Sequence, residues 1–158
     1  MELKGTNMKL DMDHMPYKGH RHWHGDIQTT DRPHEAGLMF ACRKSADFEG
    51  KRKITETRPL KRLAAFTVAP EVPLNGTEPI YRNGNVVGYL RRGGFGYSIQ
   101  CGLGTGYVAL KDKPKNQSIN DFILEGQYEI DVMGQLHPAK VSLRPLFDPD
   151  KKKMKIVQ

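Results

Sequence analysis

An Asn-Gly pair at Asn83-Gly84 constrains this chain more than any other feature. It lies between two β-rich runs, residues 79–82 and 86–91. A two-residue type I′ hairpin turn needs positive φ at both central positions, which Asn and Gly tolerate better than other residues. A hairpin here puts the stretch 78–108, EPIYRNGNVVGYLRRGGFGYSIQCGLGTGYV, at the centre of an antiparallel sheet. Further on, Arg91-Arg92-Gly93-Gly94-Phe95-Gly96-Tyr97 sets two guanidinium groups beside glycines that read as a corner or a binding lip.

The surrounding chain agrees with that centre. Residues 62–68 read as a strand closed by a linker with Pro70 and Pro73. After a polar Lys/Asp/Pro/Asn loop, Tyr128, Ile130 and Val132 alternate with Glu129 and Asp131. Beyond Gly134, Ala139, Val141 and Leu143 alternate with Lys140, Ser142 and Arg144, giving a second hairpin with one apolar face. The fold class expected is mainly β: a small, closed or nearly closed antiparallel β-barrel. Upstream, His20 to Ile27 alternates as an extended segment, residues 29–33 carry turn chemistry, and EAGLMFAC (35–42) reads as a short buried strand. The Lys- and Arg-rich piece before Pro59 suits a short exposed helix or loop.

With 158 residues and 37% apolar content, the chain can supply one modest core. No run reaches the ~20 apolar residues of a membrane span, and neither a secretory signal nor a transit segment is visible, so no membrane partner is expected. The net charge of +7 is spread through the middle and concentrated at Lys151-Lys152-Lys153, which reads as a solvated tail. Cys42 and Cys101, without a CxxC pair, fit idle thiols in a reducing compartment.

Few stretches carry chemistry by themselves. His20, His22 and His24 would share one face of a strand, but no local fourth ligand completes a metal set, so no metal is expected. Gly102, Gly104 and Gly106 lack the strand-loop-helix context of a dinucleotide fingerprint. No nucleophile elbow, HExxH or P-loop occurs, and no catalytic residue is assigned. Arg91 and Arg92 near Phe95 and Tyr97 on a small barrel suggest a nucleic-acid binder, the lesser reading because no basic stripe follows a face. Glu35, where a turn enters an apolar run, needs a partner: a backbone N–H, an Arg, or the paired N–H groups of a heterocycle.

Four co-linear stretches then carry a resemblance: the run from His20 through HRHWHGDIQTTDRPHEAGL, KRLAAFTV, EPIYRNGNVVGYLRRGGFGYSI, and GQYEIDVMGQLHPAKVSLRPLFDPDKKKMK. Across residues 17–155 they resemble the carboxyl-terminal part of the sarcosine and dimethylglycine dehydrogenase family. That family shares this part with the glycine-cleavage aminomethyltransferase and the pyruvate dehydrogenase phosphatase regulatory subunit. The resemblance implies residues 1–16 as an improvised or disordered start, 17–59 as the terminal remnant of an α+β tetrahydrofolate-binding domain, and 60–158 as an aminomethyltransferase-like C-terminal barrel with a charged tail.

It also implies folate-linked oxidation of N-methyl amines such as sarcosine in the mitochondrial matrix. An FAD domain oxidises the N-methyl group and tetrahydrofolate captures the one-carbon unit. FAD then belongs to full-length relatives and has no residues here, so the chain is expected not to act as an independent oxidoreductase. Glu35, in RPHEAGL, matches a Glu that hydrogen-bonds the pterin ring; Arg62, in KRLAAF, falls near a folate-contacting Arg. Tetrahydrofolate is the cofactor implied, its binding weakened by loss of the rest of the pocket. The partners implied are the missing domains or a full-length relative, on which a non-catalytic regulatory module would dock. Self-association through the exposed Leu38-Met39-Phe40 region is a further expectation.

Overall fold

The computed structural model describes residues 19–43, 45–147 and 149. Six strands, β1 (Lys61–Val68), β2 (Pro79–Arg82), β3 (Asn85–Gly96), β4 (Cys101–Ala109), β5 (Tyr128–Val132) and β6 (Gln135–Ser142), close into a barrel in the order β1-β4-β3-β2-β5-β6. Every neighbouring pair is antiparallel. Closure leaves none of these strands with an unpaired edge, which suits short strands that would otherwise template aggregation.

Local chemistry explains both tight hairpins. Asn83 and Gly84 have φ of 50° and 78°, and Arg82 pairs with Asn85 across them. Met133 and Gly134 do the same between Val132 and Gln135, with φ of 54° and 82°. Both are the two-residue turns whose twist matches that of the strands.

Strand β3 is long enough to serve both sides of the barrel. Its first half pairs with β2 and its second with β4, and the register shifts between Leu90 and Arg92. A bulge at this point bends the strand around the wall. The Arg91–Gly96 run is strand, bent at its start by this bulge, and the chain reverses in the turn over residues 97–100.

The core is filled from one side of each strand. Phe66, Ile80, Leu90, Val108 and Ile130 are fully buried, and Phe66 meets Tyr128 edge-on at 5.3 Å. Each such side chain contributes about 1.5–3 kcal/mol on burial. The matching inward positions of β4 carry glycine: Phe66 faces Gly104, and Ala64 faces Gly106. A Cβ at Gly104 would lie 2.6 Å from Leu90 Cδ1, and one at Gly106 would lie 2.6 Å from the Tyr89 carbonyl oxygen. Glycine at alternate positions thus makes room for large residues from the other strands, which is why this triplet lies in a strand and not in a phosphate loop.

Two short helices flank the barrel. Helix α1 (Lys51–Glu56) has no buried residue, as its Lys-rich composition led one to expect. Helix α2 (Ile119–Leu124) lies in what reads from the sequence as a polar loop. Ser118 caps it by accepting the Asp121 N–H at 3.1 Å, and Phe122 and Ile123 enter the core.

Two expectations for the amino-terminal third are overturned. His20 to Ile27 is no strand: residues 24–26 form a turn with His24 at φ 69° and an isolated bridge between Trp23 and Ile27, so the three histidines share no pleated face. Residues 35–42 form a turn and a 3-10 helix, Met39–Ala41, with Phe40 86% exposed. Gly37 at φ 74° breaks any extended course there. The expectations for residues 1–16 and for the Lys-rich end of the tail lie outside the described residues.

Candidate functional site

Residues 21–38 lie against β1, β3 and β4 on the outside of the barrel, and three carboxylates hold them there. Asp26, fully buried, accepts the His22 N–H at 2.8 Å and the Thr105 hydroxyl at 2.7 Å, and faces Arg92 Nη1 at 3.5 Å. Asp31 meets Lys61 Nζ at 2.5 Å. Glu35, 2% exposed, accepts the Leu60 N–H on Oε1 at 2.9 Å and the Arg32 N–H on Oε2 at 3.2 Å. Its own carbonyl accepts the Leu63 N–H at 2.8 Å. The outward side chains of β4, Thr105 and Tyr107, are buried beneath this layer although they point away from the core.

Glu35 and Arg62, the two residues singled out from the sequence, are brought together at this junction. Arg62 Nη1 donates to the His34 carbonyl at 2.9 Å, and its guanidinium lies flat against Gly37, where a Cβ would approach it to 3.1 Å. Its Nε is buried without a hydrogen-bond partner. No carboxylate pairs with Arg62 among the described residues. Burial holds its pKa below the ordinary guanidinium value, and the nearby Arg21 cation lowers it further. Glu35 uses one acceptor position on each oxygen for backbone; a carboxylate oxygen has two.

Tyr107 sits at the centre of the charges. Lys61 Nζ lies 4.4 Å from its ring centroid and Arg91 lies 5.9 Å away. Burial, then the Asp31 carboxylate beside it, push the phenol well above its ordinary pKa, so it remains a proton donor at neutral pH. For Asp31, burial opposes the charged form, but the Lys61 ammonium and the Gln28 N–H outweigh it and hold the carboxyl below its usual range.

Sequence reasoning missed Asp26, Asp31, Arg21 and Tyr107. Asp26 and Thr105 are 79 residues apart, and nothing local marks such a pair. The aspartate of the Thr-Thr-Asp-Arg-Pro turn was a weak signal for Asp31. Arg92, noted beside Arg91, turns to Asp26 and not to solvent. No described helix is long and apolar enough to cross a membrane.

Comparison with known proteins gives the family of the barrel. Residues 61–148 match the glycine cleavage T-protein C-terminal barrel domain. Mitochondrial sarcosine dehydrogenase of Mus musculus is 40% identical over 143 residues, covering 87% of this chain and 15% of that protein. Mitochondrial dimethylglycine dehydrogenase of the same organism is 34% identical over 135 residues, covering 82% of this chain and 14% of that protein. The crystal structure of the glycine cleavage system aminomethyltransferase T from Bartonella henselae superposes with a TM-score of 0.68 over 84% of this chain and 37% of that one, at 21% identity, a likeness of fold. The chain thus spans about 15% of the length of these curated relatives. It belongs to the glycine cleavage T-protein C-terminal barrel family and is similar over most of its length to a carboxyl-terminal part of sarcosine dehydrogenase.

Proposed function

We propose that this chain serves folate-linked oxidation of N-methyl amines in the mitochondrial matrix as the barrel-bearing part of a sarcosine-dehydrogenase-like protein. In this reading it completes the tetrahydrofolate site and takes no part in the flavin-dependent oxidation. The observation that carries the reading is the junction of Glu35 and Arg62. Two residues distant in sequence meet where the layer before the barrel joins β1, and Arg62 keeps a buried Nε without a partner. The likeness to sarcosine dehydrogenase also extends over 143 residues, well beyond the barrel domain, so it includes part of this layer.

Each residue has a distinct part in this proposal. Glu35 fixes the path of the chain through Leu60 and Arg32 and offers its remaining acceptor positions to paired N–H groups of a pterin. Arg62, anchored at one nitrogen by His34, offers the rest of its guanidinium to the anionic or carbonyl oxygens of the folate. Tetrahydrofolate, when bound, supplies the nitrogens that capture the one-carbon unit. The exposed apolar side chains of Trp23, Met39, Phe40 and Leu60 are offered to the remaining domains of a relative.

The test is complementation in trans. A full-length sarcosine dehydrogenase deprived of the residues homologous to this chain should lose tetrahydrofolate-dependent product while keeping flavin reduction by sarcosine. Adding this chain should restore the folate-dependent product. No association and no recovery with a folded chain would refute the proposal.

A further inference from the structure

The outer wall of the barrel carries a recess of about 160 Å³ beside the Glu35–Arg62 junction, and neither of those residues lines it. Lys61 of β1, Val87, Tyr89 and Arg91 of β3, and Tyr107 of β4 form its walls. Three features give it one chemical character. Arg91 Nη2 is buried without a hydrogen-bond partner, and among the described residues no carboxylate pairs with this guanidinium. The Tyr107 side chain is only 6% exposed, and with its hydroxyl beside the Asp31 carboxylate it offers the recess its ring. Lys61 is already neutralised by Asp31, so the uncompensated charge of the recess is that of Arg91.

A buried guanidinium nitrogen on a residue that lines a cavity, with no acceptor of its own, is costly unless a ligand supplies acceptor oxygens. The rest of the lining is apolar or aromatic. We propose that this recess is a binding site for a small carboxylic acid with a planar or short apolar body, its carboxylate taken by Arg91 and its body lying against Tyr107 and Val87. Size favours this class: sites for drug-sized ligands run to roughly 300–1,000 Å³, so the recess holds a ring or a short chain and not a whole cofactor. An oxyanion suits Arg91 because its planar fork meets two oxygens at once. The inference does not rest on the folate proposal.

Benzoate is the probe and benzamide its neutral counterpart, each titrated into the whole chain by ligand-observed NMR with inorganic phosphate in a parallel arm. The expected result is saturable benzoate binding, benzamide at least tenfold weaker, and phosphate weaker than benzoate. Arg91→Ala should lose benzoate binding tenfold or more, and Arg91→Lys should recover part of it. Tyr107→Phe, which keeps the ring, should bind benzoate as the unmodified chain does. Should Arg91→Ala fail to fold, Arg91→Gln and the benzoate-to-benzamide ratio of the unmodified chain decide. No saturable benzoate binding, equal binding of benzoate and benzamide, tighter binding of phosphate, or benzoate binding that survives in folded Arg91→Ala or Arg91→Gln would overturn the site.

Discussion

Asp26 is the residue whose loss should be felt most. It is fully buried, and its two oxygens serve the His22 N–H, the Thr105 hydroxyl and Arg92, whose side chain is 13% exposed. Asp26→Ala leaves a buried cation facing a cavity and orphans two donors. Breaking a buried ion pair on one side costs about 3–5 kcal/mol, a large share of the ~5–15 kcal/mol that holds a domain of this size. Asp26→Asn keeps the shape and one acceptor and should cost about 1–3 kcal/mol. Urea unfolding followed by circular dichroism gives the stability change. Trp23, the only tryptophan, reports whether the layer before the barrel leaves first. A red-shifted Trp23 emission at urea concentrations where the barrel is still folded is the expected pattern. A cost below about 0.5 kcal/mol, as for an ordinary surface change, would show that the layer is not held by this buried pair.

Other consequences follow from single positions. Gly106→Ala drives a methyl group onto the Tyr89 carbonyl oxygen at 2.6 Å, so the strands must part; overpacking of this kind costs about 1–3 kcal/mol, readable in the urea midpoint. Gly84→Ala meets nothing within 4 Å and suffers only from its φ of 78°, so it should lose about 1 kcal/mol with no change in the core signals. The lowered pKa of Asp31 means that its pairing with Lys61 contributes fully above the unfolded carboxyl value of about 3.9 and is lost as pH falls through the lower folded value. Lys61→Met should therefore flatten the acid limb of the stability profile in that window, as urea unfolding over roughly pH 2–6 would read.

Much of the barrel was legible because its signals are local. Asn83-Gly84 announces its turn without help from the rest of the chain, and the alternation Tyr128, Ile130, Val132 announces its face. The region before β1 was misread for the opposite reason. The alternation in HRHWHGDI joins residue types of little apolar weight, and the local path is set by Asp26 reaching β4, a contact between residues far apart in sequence. EAGLMFAC has the composition of a buried strand, yet Gly37 turns the chain and Phe40 stands in solvent. Helix α2 carried a readable mark, Ser118 three residues before Asp121, but the Pro and Asn around it favoured a loop reading.

The candidate site was legible only in its outline. Glu35 and Arg62 could be picked out by their motifs, while the cations and Tyr107 around them assemble only when β1, β3 and β4 lie side by side. Charge clusters built across strands leave no spacing rule in the chain.

Isothermal titration of the folded chain with 5-formyltetrahydrofolate, beside Arg62→Ala and Glu35→Ala, tests the folate proposal most directly. The prediction is saturable binding that falls at least tenfold in Arg62→Ala while the barrel stays folded, and that is lost in Glu35→Ala together with protection of the Leu60 amide from hydrogen exchange. A folded chain that takes up no folate, or an Arg62→Ala variant that binds as the unmodified chain does, would contradict it.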